Sequence, residues 1–293
     1  MSFSSTFVNI INYISESGEE SQPRDLKVKE AILSNFVIDP TYPIANFPQR
    51  TFNWKYLAGE LAWYLKQDRD VDYIGAFSTF WSRLTNPDSN EINSNYGSLV
   101  FNKEQFGWVV DSLVADKNSR QAIMFFNQPK FQFKENKDFV CTMYANFFIR
   151  HNLLHMKVQM RSNDIFYGLT FDAPFFSILL QSVYLKLKET YPDLQLGMYY
   201  HFADNLHFYE RHFDLANQIK LETPKPSDEF SLILRQPLLD YDGERVTLSE
   251  GARSFIKDID DSIGPDGKSV ATQEDYKQII DKYFITDDGQ QST

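Results

Sequence analysis

Residues 141–172 read CTMYANFFIRHNLLHMKVQMRSNDIFYGLTFD. Residues 139–149 and 154–161 form two strand-like stretches on either side of Asn152. Residues 173–190, APFFSILLQSVYLKLKET, then switch to the spacing of an amphipathic helix, with Pro174 in the first turn. Between strand and helix, Arg161-Ser162-Asn163-Asp164, Gly168 and Asp172 gather ionic, hydroxyl and amide groups into twelve residues. Leu154, Met156 and Val158 precede this group, and Phe166, Leu169 and Phe171 run through it. Polar groups set among such neighbours are partnered or functional unless they form a solvated turn.

Outward from this stretch, helices and strands continue to alternate. Phe7, Ile10, Ile11 and Ile14 give an N-terminal helix, and residues 15–30 read as a polar loop with Gly18 and Pro23. Residues 31–38 form a strand-like run stopped by Pro40, and 54–66 a helix. A turn-rich loop at 85–97, a helix at 103–116 and a short strand at 122–126 follow. After the 173–190 helix come a strand near 196–201, a helix over 208–219, and mixed strand and loop over 220–245. The tail beyond about 250 is acidic and polar. No repeat or linker divides the chain, so the expectation is one α/β or α+β domain spanning 1–293.

Composition supports this. The 293 residues are 42% hydrophobic and 16% aromatic, enough for a large core. The net charge of −11 argues against non-specific binding to nucleic acid or anionic membranes, though local arginines could still hold a small anion. No run approaches the length of a membrane span, and the N-terminus lacks a basic, cleavable leader. A single cysteine fits a reducing compartment, so the expected location is cytoplasmic. No phosphate-binding loop, dinucleotide fingerprint or zinc-ligand cluster occurs, and no metal is expected.

Read one at a time, the polar candidates are weak. A lone cysteine such as Cys141 is usually a small buried hydrophobe, and a reactive one needs a cation beside it. His207 and Tyr209, two apart, would share one face of a strand. Glu60 in an apolar helix could be a surface carboxylate, and Asp172 ahead of Ala173-Pro174 could be a helix N-cap.

Taken in order, these pieces resemble the thymidylate synthase superfamily from about residue 20 to 215, and most of all its phage deoxycytidylate hydroxymethylase branch. The resemblance is carried by Glu60-Leu61-Ala62-Trp63, by the loop Glu91-Ile92-Asn93-Ser94-Asn95-Tyr96-Gly97, and by Asn118-Ser119-Arg120. Cys141-Thr142, Arg161-Ser162-Asn163-Asp164 with Gly168 and Asp172, and His207-Phe208-Tyr209 complete it. It implies a mixed β-sheet flanked by helices, with the sheet packing at a homodimer interface, and a family-variable part at 220–293.

The resemblance also implies roles. Cys141 would be the nucleophile, with Glu60, Tyr96 and Asp172 as its catalytic companions. Arg24, Arg161, Ser162 and Asn163 would bind the nucleotide, and Arg120 would reach into the neighbouring subunit's phosphate site. His207 and Tyr209 would hold the sugar. Trp81, Asp164, Gly168 and Arg50 would meet the co-substrate, 5,10-methylenetetrahydrofolate. Position 172 would read the base: a carboxylate only accepts hydrogen bonds, which suits the amino group of cytosine and repels the O4 of uracil.

Several residues depart from the synthase pattern. Gln121 stands where a second arginine is usual, Thr142 where a histidine is, and Met160 where a glutamine is. Trp81 is followed by Ser82-Arg83-Leu84 without a second tryptophan, and the chain ends DDGQQST in place of an apolar tail. A less sealed pocket favours water over hydride as the final reactant. The implied activity is hydroxymethylation of dCMP. The alternatives are a cytidylate C5 methyltransferase, a CMP hydroxymethylase, or a non-catalytic nucleotide-binding homologue.

Overall fold

The computed structural model describes residues 3–86, 89–225 and 229–286. The first half runs α1 (Phe3–Ser17), β1 (Glu19–Ser21), β2 (Val28–Ile38), α2 (Trp54–Lys66), α3 (Val71–Gly75), α4 (Tyr96–Val100), α5 (Trp108–Ala115) and β3 (Ile123–Phe125). The sheet and its covering helix follow as β4 (Thr142–Arg150), β5 (Leu153–Met160), β6 (Asn163–Asp164), α6 (Thr170–Leu187), β7 (Gln195–Tyr209) and α7 (Phe213–Ile219). The last part comprises β8 (Ile233–Leu234), β9 (Leu239–Tyr241), β10 (Val246–Leu248), α8 (Glu250–Asp260), α9 (Gln273–Tyr283) and β11 (Phe284–Ile285). Single π-helical turns at Lys103–Gly107 and Ile165–Leu169 lead into α5 and α6.

The described residues form a seven-stranded mixed sheet in the order β1-β2-β7-β5-β4-β3, with β6 beside β7. β7 runs antiparallel to β2 and parallel to β5, and β4 pairs antiparallel with β5. The β4–β5 turn is His151-Asn152, both with positive φ (51° and 62°), the conformation of a two-residue hairpin turn. Along β5, Leu154, Met156, Val158 and Met160 are buried while His155, Lys157 and Gln159 are half-exposed. One sheet face therefore meets the core, and α6, apolar nearly all round, is buried against it. The other face carries half-exposed Tyr144, Phe148, His155, Tyr200 and Phe202.

Three sequence expectations change. Residues 15–30 are not all loop: Glu19–Ser21 pairs with Val28–Glu30, so polar residues form an edge strand because a partner is present. The strand near 196–201 runs to Tyr209, held by β2 and β6, and the helix expected over 208–219 starts only at Phe213. The acidic tail contains two capped amphipathic helices. Ser249 caps α8, a Thr272–Asp275 capping box opens α9, and Phe255, Ile259, Tyr276 and Ile280 are buried. Both pack on α2, where Lys66 pairs with Asp260 at 3.0 Å. Residues 287–293, DDGQQST, lie outside the described residues. No helix among the described residues is long and apolar enough to cross a membrane.

Candidate active site

The register of β4 and β5 explains the twenty-residue spacing between Cys141 and Arg161. Thr142 pairs with Met160, so the residues just outside that pair face each other, and Arg161 N donates to Cys141 O at 2.9 Å. The Arg161 guanidinium lies 3.4 Å from Cys141 Sγ. Its fork is fixed by hydrogen bonds to Val140 O at 3.1 Å and to Phe139 O. Burial pushes the half-buried thiol's pKa up, Arg161 opposes this most strongly, and Arg24 adds a smaller opposing charge. This cation beside the thiol is the feature that separates a reactive cysteine from an inert one.

Asp172 sits in the first turn of α6, but its carboxylate accepts from Asn163 Nδ2 at 2.7 Å, not from a backbone N–H of that turn. The helix-cap reading is therefore set aside. Burial raises Asp172 to about 6, opposed by the Asn163 bond. Gly168 makes the pair possible: a Cβ there would stand 2.7 Å from Asn163 Nδ2. Asn163 Oδ1 is buried with no hydrogen-bond partner among the described residues.

Glu60, far from being a surface carboxylate, is 6% exposed. Burial lifts it to about 8, opposed mainly by a 2.7 Å hydrogen bond donated by Tyr56 Oη, and the Asp172 charge raises it further. Trp81 Nε1 donates to Tyr56 Oη at 2.9 Å. The Trp81 ring is itself buried, 5.2 Å from that of Trp63. Tyr96 accepts a hydrogen bond at 2.8 Å from Thr142 Oγ1, which also lies 3.0 Å from Met160 Sδ. The Thr142 and Met160 departures thus meet in one contact beside the thiol.

His207 and Tyr209 do share a strand, with rings 5.2 Å apart. His207 Nδ1 meets Asn205 Oδ1 at 2.9 Å, Asn205 donates to Glu30, and burial lowers His207 to about 4. The imidazole is neutral at pH 7. Arg24 is exposed in a 3₁₀ turn with φ of 51°, and its charge acts on Cys141, His207 and Tyr209. Ser162 is half-buried between Arg161 and Asn163. Asp164 caps the Ile165–Leu169 turn by accepting from Phe166 N, and burial raises it to about 6. Arg50 donates to Phe166 O at 2.6 Å, which ties it to the same turn. Arg211, which the sequence reading passed over, lies over the Tyr167 and Tyr209 rings.

Electrostatics link Cys141 with Arg161, Asp172, Tyr96 and Arg24, and link Glu60 with Asp172. Arg120 stands apart, exposed between α5 and β3, with no hydrogen bond or ion pair to this cluster among the described residues. Tyr56 was also missed, although its four-residue spacing from Glu60 places both on one helix face.

This arrangement can be set beside known proteins. The thymidylate synthase family model matches residues 5–250. The chain belongs to the thymidylate synthase family. It is 30% identical over 202 residues to the deoxycytidylate 5-hydroxymethyltransferase of Enterobacteria phage T6, covering 66% of this chain and 80% of that protein. It is 22% identical over 296 residues to the deoxyuridylate hydroxymethyltransferase of Bacillus phage SP01, covering 95% of this chain and 70% of that one. Thermostable thymidylate synthase A from Bacillus subtilis superposes with a TM-score of 0.65 at 19% identity, over 80% of this chain and 88% of that one. The protein is an enzyme of the thymidylate synthase superfamily, a one-carbon transferase. Members of this family bind nucleotide and folate substrates and use methylenetetrahydrofolate.

Proposed function

We propose that this enzyme transfers a one-carbon unit from 5,10-methylenetetrahydrofolate to C5 of dCMP and hydrates it to 5-hydroxymethyl-dCMP. The observation that carries the choice of base is Asp172, an acceptor-only side chain above about 6, held in the Cys141 cluster by Asn163. An ionised carboxylate accepts from the N4 amino group of cytosine and opposes the O4 of uracil.

In this reading the Cys141 thiolate, favoured by Arg161, adds to C6 of the pyrimidine and makes C5 nucleophilic. The folate, when bound, supplies the one-carbon unit. Asp164, the side-chain-free surface of Gly168 and the cations Arg50 and Arg211 suit an aromatic ligand with a carboxylate tail. Trp81 supports Tyr56 from within the pocket wall. Glu60, neutral at pH 7, can give and take a proton as the C5 proton leaves and water adds to the exocyclic carbon. Loss of Cys141 from C6 then restores the ring. Arg24, Arg161, Ser162 and Asn163 would line the nucleotide's phosphate and base sides, and His207 and Tyr209 its sugar.

The active form in this proposal is a homodimer packed through the half-exposed aromatic sheet face. Arg120, exposed and without a hydrogen-bond or ion-pair partner among the described residues, would complete the neighbouring phosphate site. The whole chain, 1–293, would act as a single catalytic domain in the cytoplasm of the cell that makes it.

A second reading, hydroxymethylation of dUMP, is favoured by the extent of the match to the SP01 phage enzyme. The experiment that separates the two is tritium release from 5-labelled dCMP and dUMP with methylenetetrahydrofolate, followed by product mass. Release from dCMP with the mass of a hydroxymethyl product is expected. Preferential release from dUMP would overturn the base assignment. A methyl product would indicate a methyltransferase, and no release from either would indicate a nucleotide-binding homologue.

A further inference from the structure

Three side chains form a line: Trp81, from the turn at Trp81–Arg83, and Tyr56 and Glu60, one helical turn apart on α2. The indole N–H can only donate, and it donates to Tyr56 Oη at 2.9 Å. The tyrosine has one hydroxyl hydrogen, and among the described residues its one acceptor is Glu60 Oε1, at 2.7 Å. With the indole taking up one lone pair of the tyrosine oxygen and Oε1 the one acceptor for its hydrogen, the line runs from Trp81 through Tyr56 to Glu60. Oε1 is an obligatory acceptor, so a proton on the Glu60 carboxyl sits on Oε2. The line is rigid: the Tyr56 ring meets Phe171 edge-on at 4.5 Å, and the Trp81 ring is wedged between Trp63 and Phe80 at 5.2 and 5.5 Å.

We propose that Trp81 and Tyr56 are positioning residues that act through Glu60, fixing which of its two oxygens carries the catalytic proton. This deepens the hydroxymethylase reading and rests on it for the proton's use, but not for the proton's placement. A carboxyl free to carry its proton on either oxygen would offer it in the useful direction only part of the time. With Oε1 committed to Tyr56, Oε2 is the oxygen that exchanges protons. Of the other ionisable groups acting on Glu60, Tyr64 on its own helix favours the charged form by a hydrogen bond weaker in effect than that of Tyr56, and Asp172 from α6 and Tyr96 from α4 act through charge. All three remain in the variants below.

The test is a carbon-13 NMR titration of labelled glutamate carboxyls in the full-length protein, with Glu60→Gln identifying the Glu60 signal. It is combined with pH profiles of kcat and KM for dCMP. In Tyr56→Phe the Glu60 midpoint should rise by about one unit, because a hydrogen bond that favours the charged form is lost. The limb of the kcat profile that follows Glu60 should move with it, while KM for dCMP stays within about twofold. In Trp81→Phe, Tyr56 can still donate but no longer must, so the midpoint should rise by a smaller amount in the same direction. An unmoved Glu60 midpoint in Tyr56→Phe overturns the proposal. If Tyr56→Phe does not fold, an unmoved midpoint in Trp81→Phe does so. The titration does not depend on turnover: a wild-type protein that releases no tritium while its variants shift Glu60 would sink the hydroxymethylase reading and leave the donor line standing.

Discussion

Asn163 Nδ2 donates to Asp172 Oδ2 at 2.7 Å, and the two side chains meet over the bare backbone of Gly168. The bond fixes the amide's orientation, since a flipped Asn163 would set its oxygen against the carboxylate. It also favours the ionised form of Asp172 against the burial that raises it to about 6. The residue proposed to read the base is thus held in its acceptor-only state by a neighbour nine positions earlier.

Asp172→Asn should move the preference from dCMP towards dUMP. The amide is nearly isosteric, still offers an oxygen to Asn163, and gains a donor for O4. Relieving or creating one unpaired buried polar group is worth about 1–3 kcal/mol, so the dCMP/dUMP ratio of kcat/KM should fall by roughly one to two orders of magnitude. The wild-type ratio should also fall as pH drops through about 6, where Asp172 gains an O–H donor, while the variant's ratio stays flat. A ratio that Asp172→Asn leaves within about twofold means that Asp172 does not read the base.

Gly168→Ala should damage the same function from a distance. Its Cβ would lie 2.7 Å from Asn163 Nδ2 and 3.2 Å from Asp172 Oδ2, so the pair must separate. Base discrimination should fall while thermal stability drops by about 1–3 kcal/mol, the range of an overpacked interior. Parallel measurement of the dCMP/dUMP ratio and Tm checks this. Lower Tm with full discrimination would reduce Gly168 to a packing residue.

Much of this arrangement was legible in the sequence because its spacing is set by strand register. Cys141 and Arg161 lie twenty apart since β4 and β5 pair Thr142 with Met160, and His207 and Tyr209 share a strand face. The Glu60 helix was legible too, from its apolar period. What escaped depends on partners that are remote in sequence. Glu19–Ser21 becomes a strand only because Val28–Glu30 lies beside it, and the polar period of α8 and α9 reads as solvent-facing until α2 covers it. Tyr56 was visible at four-residue spacing from Glu60, but its role needed Trp81, twenty-five residues on.

Arg161 should control the reactivity of Cys141. The protein has one cysteine, so iodoacetamide alkylation reports that thiol alone. Burial raises its pKa and Arg161 is the main opposing charge, so Arg161→Gln should raise it further and slow alkylation at neutral pH by roughly three- to tenfold. Arg161→Lys keeps the charge but not the fork that grips Val140 O and Phe139 O, and should fall between. Equal rates in all three proteins would show that the thiolate does not depend on this guanidinium.

Arg120 supplies a test of the shared site. Cys141→Ala and Arg120→Ala should each be close to inactive alone. If Arg120 serves the neighbouring subunit, mixed dimers contain one site with both defects and one with neither, so up to about half of the activity per mixed dimer returns. Subunit exchange, followed with differently tagged chains, has to be demonstrated alongside the tritium-release assay. Exchange without recovery would mean that Arg120 acts in its own chain or not at all.

Glu60→Gln should stabilise the protein most at alkaline pH. The folded-state pKa of about 8 lies above the ordinary 4.5, so between these values the native protein holds a proton that the unfolded chain gives up. Stability therefore falls as pH rises through that window, and the full cost of the buried carboxylate is reached above about 8. At about 1.36 kcal/mol per unit the effect is on the order of a few kcal/mol. Glutamine has no proton to lose and keeps an oxygen for Tyr56. Asp172, raised to about 6, contributes the same slope to both proteins over the acidic part of the range. Thermal unfolding at pH 5 and pH 8 checks the sign: the Tm gain of Glu60→Gln over wild type should be small at pH 5 and large at pH 8. A gain that does not grow with pH would mean that Glu60 titrates near its ordinary value. The neutral acid invoked for proton transfer would then be absent at pH 7.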